Sequence, residues 1–494
     1  MILQHRAVSR TSRLVSAVML CSLTIGSAMS AQRLPREKST ALSAADEVAA
    51  EIGRMSQTLW DFSETAMLEY RSAEFLADVL EQDGFTVERG VAEMPTAFIA
   101  SYGSGHPIIG ILAEYDALPG VGNAVVPREA PREDGLPSGQ GCGHNLFGAA
   151  SVGGAMILKR VIQAHNMSGT VRLYGTPAEE TVVGKVYMAK AGVFDDLDAA
   201  IEWHPGLENS VRNQPGRALN NFTVEFFGQA AHASADPWNG RSALDAVEMM
   251  DYGVNMMREH VKPTARIHYV MPSAGEAPNV VPAYAKVWYY VRDVNRESVQ
   301  AYYDWILKIA EGAALATRTT HKVTLITGVH ETLLNRPLQE VAQRNLELVG
   351  APPFTAEDQS FAKHLQEFLH IEQQGLDVKI KPLADEPEPP SGGSTDVAEV
   401  SYIAPTVGFT VTTAAADIPW HSWAATASHG TEGAIRGANV AAKVIALTGV
   451  DMLTDSSLLE QARAFFLEQT GGKPYQSPIP LDQKPPVPEP GAGS

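Results

Sequence analysis

Apolar residues along the chain form short runs that alternate with longer stretches of helical spacing. The runs at 108–113, 171–174, 199–201 and 406–411 are rich in strand-forming residues, and polar loop residues follow each of them. A stretch such as 145–163 instead spaces its apolar and small residues as a helix does. Alternating strands and helices predict an α/β layered domain. Ligands gather at the carboxyl ends of the strands in such sheets, which is where these polar loops fall.

The pattern changes between residues 218 and 328. There the predicted order is strand, helix, strand, strand, helix, strand, at 220–227, 242–260, 266–271, 284–291, 298–316 and 322–325. A βαββαβ unit of about a hundred residues is large enough to form a domain of its own. Because the α/β pattern resumes afterwards, this unit is predicted to be inserted into a first domain made of residues 45–217 and 329–455. Acidic, proline and glycine residues at 382–393 predict a loop near the site.

The N-terminus has the composition of a targeting segment. Arginines precede an apolar run at 14–25 and small residues at 28–31, which predicts a signal peptide over residues 1–30. The apolar run is too short to span a bilayer comfortably, and the bulky Leu20 argues against a lipid anchor on Cys21. The protein is therefore expected to be exported, to a periplasm or to the cell exterior.

Length and charge narrow the classes of function. The chain has 494 residues, enough for two domains, and a formal net charge of −19. Nucleic-acid binding requires a basic face, so this charge argues against it and against anionic membrane surfaces. No later segment is apolar enough to cross a membrane, so no membrane span is predicted. Residues 476–494 are rich in proline and predict a disordered tail.

The sequence Gly-Cys-Gly-His-Asn at 141–145 holds the only cysteine outside the predicted signal peptide. A single cysteine is unusual in an exported protein, because such compartments favour paired cysteines or none. A lone cysteine is more often a small buried core residue. Here, however, His144 follows Cys142 by two residues, and residues i and i+2 of an extended turn point to the same side. The pair therefore predicts a metal site, for which zinc suits the ligands.

Further acidic and histidine residues follow predicted strands. In an extended segment Glu179 and Glu180 would point apart, so that one binds metal and the other carries protons. An isolated Glu-Glu pair more often begins a solvated helical turn, and a lone His204 or His421 is more often an ordinary loop residue. Together they complete a set of five candidate metal ligands: Cys142, His144, Glu180, His204 and His421.

This number of ligands indicates the chemistry. Five ligands are too many for one tetrahedral catalytic ion that keeps a position open for water. They suit two divalent ions that share a water molecule and lower its pKa towards neutrality. Glu179 would then take a proton from this water and return it to a leaving amine. The predicted reaction is the hydrolysis of an amide in a small-molecule substrate.

These motifs resemble those of the aminoacylase/carboxypeptidase family of two-metal hydrolases, metallopeptidase family M20. The parts that carry the resemblance are, in chain order, 141–145, 177–180, His204, 228–234 and His421. The cysteine among the ligands is similar to the amidohydrolase branch of the family. Within this branch, Asn145 and the sequence Gly-Ser-Thr-Asp-Val at 393–397 look most like the group that hydrolyses p-aminobenzoyl-glutamate. The resemblance makes manganese an alternative to zinc.

The resemblance implies an α/β/α catalytic sandwich with a mixed central sheet and an inserted ferredoxin-like lid, through which two chains form a homodimer. It implies that His232, on the lid, reaches a site across the dimer and stabilises the oxyanion of the tetrahedral intermediate. Asn279 is similar to a lid residue that binds substrate. Arg292 is where an arginine often holds a substrate carboxylate, although an ordinary surface arginine fits its pattern equally well. Ser394 and Thr395 would donate hydrogen bonds to the substrate.

The remaining alternatives concern one carboxylate and the class of protein. Asp116 would orient a ligand histidine without binding metal, although a simple loop carboxylate fits nearly as well. A dipeptidase or carboxypeptidase of the same family would use the same residues, whereas an inactive metal-binding protein would not need Glu179. The absence of a Gly-x-Ser-x-Gly sequence disfavours a serine hydrolase, and Gly148 comes too late for a dinucleotide-binding turn. Export departs from the resembled group, which is expected to be cytosolic.

Overall fold

The structure is a computed structural model that describes residues 34–390 and 392–488, so the predicted signal peptide at 1–30 lies outside the described residues. Its larger sheet has seven strands. From edge to edge these are β1 (Thr86–Arg89), β2 (Phe98–Ser104), β4 (Gly169–Gly175), β3 (Ile108–Ala113), β5 (Ala199–Gly206), β11 (Thr406–Thr412) and β6 (Ser210–Val211). The pairs among β4, β3, β5 and β11 are parallel and the outer pairs are antiparallel. The predicted mixed sheet is confirmed.

Helices cover both faces of this sheet, because its central strands bury both of their sides; all six residues of β3 are buried. The helices on one face include α1 (Arg36–Phe62), α3 (His144–His165) and α11 (Glu432–Thr454), and those on the other include α4 (Gly184–Lys190) and α9 (Val397–Ser401). The further helices are α2 (Tyr70–Gln82), α7 (Arg336–Val349), α8 (Ala356–Phe368), α10 (Trp423–His429) and α12 (Ser456–Thr470). The predicted α/β/α sandwich is confirmed.

A glycine sets the position of α3 on the sheet. A Cβ atom at Gly148 would lie 2.8 Å from the carbonyl oxygen of Glu114, just beyond the end of β3. A larger residue would therefore push the helix away from the strand. The close approach places His144, at the start of α3, beside the residues that follow β3.

Residues 218–329, which we call the lid, form the second sheet. Its order is β10 (Thr320–Val329), β7 (Ala218–Phe227), β9 (Tyr284–Asp293) and β8 (Arg266–Ser273), and every pair is antiparallel. The helices α5 (Ala243–Met257) and α6 (Arg296–Thr317) pack on this sheet through a shared apolar core. A βαββαβ unit with this strand order is ferredoxin-like. The predicted fold class is confirmed, and β8 is an edge strand.

The two ends of the catalytic part differ from the predicted limits of 45 and 455. The helix α1 begins at Arg36 and buries three alanines between residues 41 and 45. After residue 455, α12 buries one face and packs against α7. Both helices are amphipathic, so they extend the core beyond those limits. Within the described ranges, no helix combines the length and the apolar character needed to cross a membrane.

The predicted tail also differs from its expected disorder over residues 476–488. This segment has no helix or strand, yet Ile479 is only 3% exposed. The side-chain amide of Gln483 donates to the carbonyl oxygens of Leu325 and Ile326 in the lid. Prolines prevent regular structure here, but they do not prevent apolar and amide side chains from packing. Residues 489–494 lie outside the described residues.

Candidate metal centre and active site

Cys142 lies in the turn that leads into α3, and His144 is the first residue of that helix. Between them, Gly143 has a φ of +83°, a left-handed conformation instead of the extended one predicted. A Cβ atom at this position would also lie 2.9 Å from the Cβ of Pro205. The tight turn still brings ligand atoms of Cys142, His144 and His204 within 4.8 Å of one another.

His144 is fully buried and paired with Asp116, which follows β3. Its Nδ1 lies 2.9 Å from Oδ1 of Asp116. The other oxygen of this carboxylate accepts a hydrogen bond from the backbone N–H of Glu180 at 2.9 Å. A histidine whose Nδ1–H is held by a carboxylate presents Nε2 to a metal. Asp116 thus lies beside a candidate ligand.

Glu179 and Glu180 form part of a 3₁₀ turn, residues 179–181, rather than the extended segment that was expected. Their carboxylates nevertheless have different neighbours. Oε2 of Glu179 lies 3.9 Å from Nε2 of His144, whereas Oε2 of Glu180 lies 3.4 Å from Nε2 of His421. The turn therefore brings the two carboxylates closest to different histidines.

His204 lies on β5, and His421 lies in the loop that follows the neighbouring parallel strand β11. His204, on β5, has Nδ1 2.7 Å from the carbonyl oxygen of Pro205 and Nε2 3.5 Å from Sγ of Cys142. Burial, followed by the charge of His144, lowers the pKa of His204 to about 3, so its imidazole is neutral and able to bind metal. His421 follows β11 with a side chain 54% exposed.

The candidate ligands form overlapping groups of three, and within each group the ligand atoms lie within 4.8 Å of one another. Two of these groups contain only predicted ligands and share Cys142. They are Cys142 with His144 and His204, and Cys142 with Glu180 and His421. The third group, which includes a residue that was not predicted, is Glu114 with His144 and Glu179.

Several polar atoms of these groups are buried and form no hydrogen bond within the described chain: Nε2 of His144, Oε1 of Glu180 and both carboxylate oxygens of Glu114. Their contacts with charged groups are those of Glu114 with Lys185 and His144, and that of Glu180 with His144. Buried polar atoms are normally hydrogen-bonded. Sulfur, imidazole and carboxylate donors in this arrangement fit divalent ions such as zinc or manganese.

A buried cluster of charged residues that was not predicted, Lys185, Glu114 and Asp396, contacts the candidate ligand His144. Nζ of the fully buried Lys185 lies 2.7 Å from Glu114 and 2.6 Å from Asp396. Oε2 of Glu114 is in turn 3.2 Å from Nε2 of His144. Burial, followed by the charges of Glu114 and Asp396, raises the pKa of Glu179 well above its ordinary value.

The sequence holds a signal for only part of this cluster. Glu114 precedes Asp116 by two residues at the same strand end, and this spacing indicates a second carboxylate in the site. Asp396 lies in the motif at 393–397 but next to the more conspicuous Ser394 and Thr395. Lys185 is one cation within a short helix and has no distinguishing neighbour in sequence.

A cavity of about 580 Å³ opens onto these ligands. Of the predicted substrate-binding residues, Arg292, Ser394 and Thr395 line it, together with parts of the predicted loop at 382–393. The hydroxyl oxygen of Ser394 is buried without a hydrogen-bond partner in the described chain. The loop therefore does lie near the site.

His232 and Asn279 are not among the residues that line this cavity. They lie beside each other on the lid, where the backbone N–H of Ala233 donates to the carbonyl oxygen of Asn279 at 3.0 Å. His232 also forms a β-bridge with Val280. The structure thus brings together the predicted ligands and Glu179, but it places these two lid residues elsewhere on the same chain.

An α/β/α domain with such a cluster at its strand ends, and an inserted ferredoxin-like lid, defines a metal-dependent hydrolase. The family model for peptidase family M20/M25/M40 matches residues 110–446. The chain belongs to this family, whose members are metal-dependent hydrolases of amide bonds.

Curated relatives match most of the chain. It is 38% identical to the B subunit of p-aminobenzoyl-glutamate hydrolase from Escherichia coli (strain K12), over 87% of this chain and 95% of the relative. It is 29% identical to the Xaa-Arg dipeptidase of Mus musculus, over 88% of this chain and 94% of the relative.

Solved structures share the fold at lower identity. One is the aminobenzoyl-glutamate utilization protein of Klebsiella pneumoniae, with a TM-score of 0.57 and 18% identity over 82% of this chain and 97% of that chain. Another is the Bacillus subtilis YXEP protein, a dinuclear metal binding peptidase of the M20 family, with a TM-score of 0.53 and 18% identity over 81% and 99% of the two chains.

Proposed function

We propose that the protein would hold two divalent metal ions, zinc or manganese, through Cys142, His144, Glu180, His204 and His421. The observation that carries this proposal is the overlap of the two predicted groups of three ligands in Cys142 alone. A thiol that coordinates a metal loses its proton, so Cys142 would contribute a thiolate to this site. His144 and His204 would complete one ion site, and Glu180 and His421 the other.

In the proposed reaction the ions, when bound, lower the pKa of a water molecule so that hydroxide is available near neutral pH. The carboxylate of Glu179 accepts a proton from the attacking water and delivers it to the nitrogen of the leaving amine. Its side chain is only 12% exposed, so bulk water has little access to the proton it carries. Asp116 holds His144 in the orientation in which Nε2 faces the site.

The proposed substrate is an N-acyl amino acid with a free carboxylate, of the p-aminobenzoyl-glutamate type. Two cations of the cavity are already paired, Arg212 with Glu202 and Lys381 with Glu208. Among the described residues, no carboxylate forms an ion pair with Arg292, and its Nε is buried without a partner. Arg292 is therefore available to bind a substrate carboxylate. The name of the Escherichia coli relative agrees with a substrate of this kind.

A dipeptide with a basic C-terminal residue is the second candidate substrate. Glu388 lines the same cavity, is exposed, and forms no ion pair within the described residues. Its carboxylate accepts a hydrogen bond from the side chain of Gln214 at 3.2 Å. A free carboxylate at the cavity favours a cationic side chain, which the name of the mouse relative, Xaa-Arg dipeptidase, also suggests.

The proposal includes a homodimer through the lid, in which His232 and Asn279 serve the cavity of the other chain. The edge strand β8 leaves one side of its backbone unpaired and carries the exposed Val270. Tyr252 and Met256 are exposed on the neighbouring helix α5. A free strand edge and exposed apolar side chains favour association. Light scattering of the purified protein would measure the mass of the assembly.

We also propose that the chain is exported and cleaved near residue 30, because its N-terminus has the order of a signal peptide. N-terminal sequencing of the protein from whole cells would test this. A sequence that begins at Met1 or Ile2 would contradict it.

A substrate panel tests the proposed function. The mature protein, loaded with zinc or manganese, would be incubated with p-aminobenzoyl-glutamate, aliphatic N-acyl amino acids, and dipeptides ending in arginine or alanine. Mass spectrometry would follow each reaction with and without chelator. We expect cleavage of the acyl amino acids that chelator abolishes, without a second type of subunit. Cleavage of the arginine dipeptide alone would favour the second candidate, and chelator-resistant cleavage would contradict the metal mechanism.

A further inference from the structure

The turn that carries Glu179 and Glu180 has an unfavourable backbone. Ala178 has a φ of +58° and Val182 a φ of +52°, and neither residue is glycine. A left-handed conformation is particularly unfavourable for a β-branched residue such as Val182. Backbone strain of this kind persists only where the surrounding structure imposes it. Other parts of the chain must therefore hold this turn.

Three side chains outside the turn contact its backbone. Oε1 of Glu69 accepts a hydrogen bond from the N–H of Ala178 at 2.9 Å, and Asp116 accepts one from Glu180 at 2.9 Å. The hydroxyl of Thr327 donates to the carbonyl oxygen of Val182 at 2.6 Å. The first and last of these contacts act directly on the two strained residues.

Thr327 belongs to the lid, and the local structure of β10 directs it to the turn. The pairing register of β10 shifts between Leu325 and Thr327, and a bulge of this kind redirects the side chains that follow it. The carbonyl oxygen of Ile326 accepts hydrogen bonds from the hydroxyl of Tyr187 on α4 and from the amide of Gln483. The bulge is therefore fixed against the catalytic part, and Thr327 is fully buried.

Glu69 is equally constrained. It immediately precedes α2 and is fully buried. Its second oxygen, Oε2, has no hydrogen-bond partner within the described chain. Burying a carboxyl group costs free energy unless the group is hydrogen-bonded. Outside its own segment of the chain, the carboxyl group of Glu69 contacts the backbone of Ala178.

We propose that Glu69 and Thr327 are positioning residues that hold the turn of Glu179 and Glu180 in its strained conformation, with Thr327 connecting the lid to this turn. The inference rests on the proposed roles of the two glutamates. Neither positioning residue lines the cavity. Their loss should displace the carboxylate of Glu179, and a displacement of about 1 Å can reduce turnover by up to about 100-fold.

The first test uses Thr327→Val, which keeps the shape of the side chain and removes the hydroxyl. In the metal-loaded protein we expect kcat to fall about tenfold or more, with KM within about twofold and metal content unchanged. Thr327→Ser keeps the hydroxyl and should restore most of kcat. Thr324→Val makes the same change at an exposed position of β10 and should leave kcat unchanged.

Hydrogen exchange of the same proteins reports the conformation of the turn at 179–181 and does not require catalytic activity. The N–H groups of Val182 and Val183 donate within the turn, to Glu179 at 2.7 Å and to Ala178 at 3.1 Å. Thr327→Val should speed exchange of these amides, whereas Thr327→Ser and Thr324→Val should not. Equal exchange in Thr327→Val and the natural protein would overturn the inference. A natural protein that hydrolyses nothing, with faster exchange in the variant, would count against the proposed function only.

A second pair of variants addresses Glu69. Glu69→Gln keeps an oxygen that can accept from Ala178 and should retain most of kcat, whereas Glu69→Leu removes the acceptor and should lose it with metal still bound. Equal loss in both variants, accompanied by equal loss of thermal stability, would indicate a general packing role and would overturn the assignment of Glu69.

Discussion

The metal-ligand region and the lid region of this molecule are organised in opposite ways. Around Cys142, candidate ligands from several segments converge within one chain, and all of them except the exposed His421 are buried or half-buried. His232 and Asn279, by contrast, lie beside each other on the lid and do not line the cavity of their own chain. The candidate ligands and Glu179 therefore come together within a single chain, whereas the proposed function assigns the oxyanion donor His232 to a second chain.

The largest effect is expected at Cys142. Because it belongs to both predicted ligand groups, Cys142→Ser should reduce the metal content and abolish most activity, since a hydroxyl is a far poorer ligand than a thiolate. Metal analysis of the purified variant would measure this. If the variant kept the same number of metal ions per chain and the same turnover, Cys142 would not be a metal ligand.

Glu179→Gln should separate metal binding from catalysis. The variant keeps the shape of the side chain but cannot accept a proton, so turnover should fall by about 100-fold or more with metal content unchanged. Glu208→Gln, at a carboxylate in the same cavity that pairs with Lys381, is the matched control and should have a much smaller effect. Loss of metal in Glu179→Gln would mean that the roles of the two glutamates are exchanged.

His232→Ala tests the lid side of the comparison. Loss of an oxyanion donor typically reduces kcat by about 100-fold or more, and here the metal content and the mass of the assembly should stay unchanged. The measurement is steady-state kinetics together with metal analysis. A variant with normal kcat would show that the lid histidine has no part in the reaction.

Arg292→Gln should have a smaller effect, expressed mainly in KM. A hydrogen bond to a charged group contributes about 1.5–3 kcal/mol, so KM for a substrate with a free carboxylate should rise by roughly 10- to 100-fold. The matching amide substrate, which lacks this carboxylate, should be cleaved equally by both proteins. An equal rise in KM for both substrates would contradict a role in carboxylate binding.

The smallest effect concerns the pH dependence of stability. Burial, followed by the charge of Asp116, raises the pKa of Glu69 to about 8. The protonated form is therefore favoured in the folded state. Its stabilising effect is complete below the ordinary pKa of about 4.5 and is lost as the pH rises towards 8, at no more than about 1.4 kcal/mol per pH unit.

Glu69→Gln removes this titration. Denaturant unfolding of the metal-free protein between pH 5 and about 8 should show a weaker loss of stability in the variant than in the natural protein. Glu74→Gln, at an exposed position of the helix α2 that follows Glu69, should follow the natural protein. Parallel curves for all three proteins would contradict the raised pKa.

Much of the fold was predictable from the sequence because each layer leaves a periodic pattern. Strands buried on both sides appear as continuous apolar runs, as at 108–113, and the lid has its own order of elements. The limits of the catalytic part and of the C-terminal tail were less predictable. The segment 476–488 is rich in proline, and composition alone cannot show that Ile479 is buried against the rest of the chain.

The candidate site was predictable where residues lie close in sequence or at strand ends. Local geometry was not: Gly143 and the turn at 179–181 have left-handed or helical backbone where an extended one was expected. Lys185 and Glu69 were missed because each acts through contacts with distant segments, and nothing in its immediate sequence marks it. Such residues become visible only when the chain has folded.

The most direct test of the account mixes two inactive variants, Glu179→Gln and His232→Ala, by unfolding and refolding them together. If each site takes Glu179 from one chain and His232 from the other, half of the dimers are mixed and each mixed dimer has one intact site. Activity should then return to about a quarter of that of the natural protein. If both residues act within one chain, every site contains one substituted residue and no activity returns. A complete absence of recovered activity would therefore contradict the account.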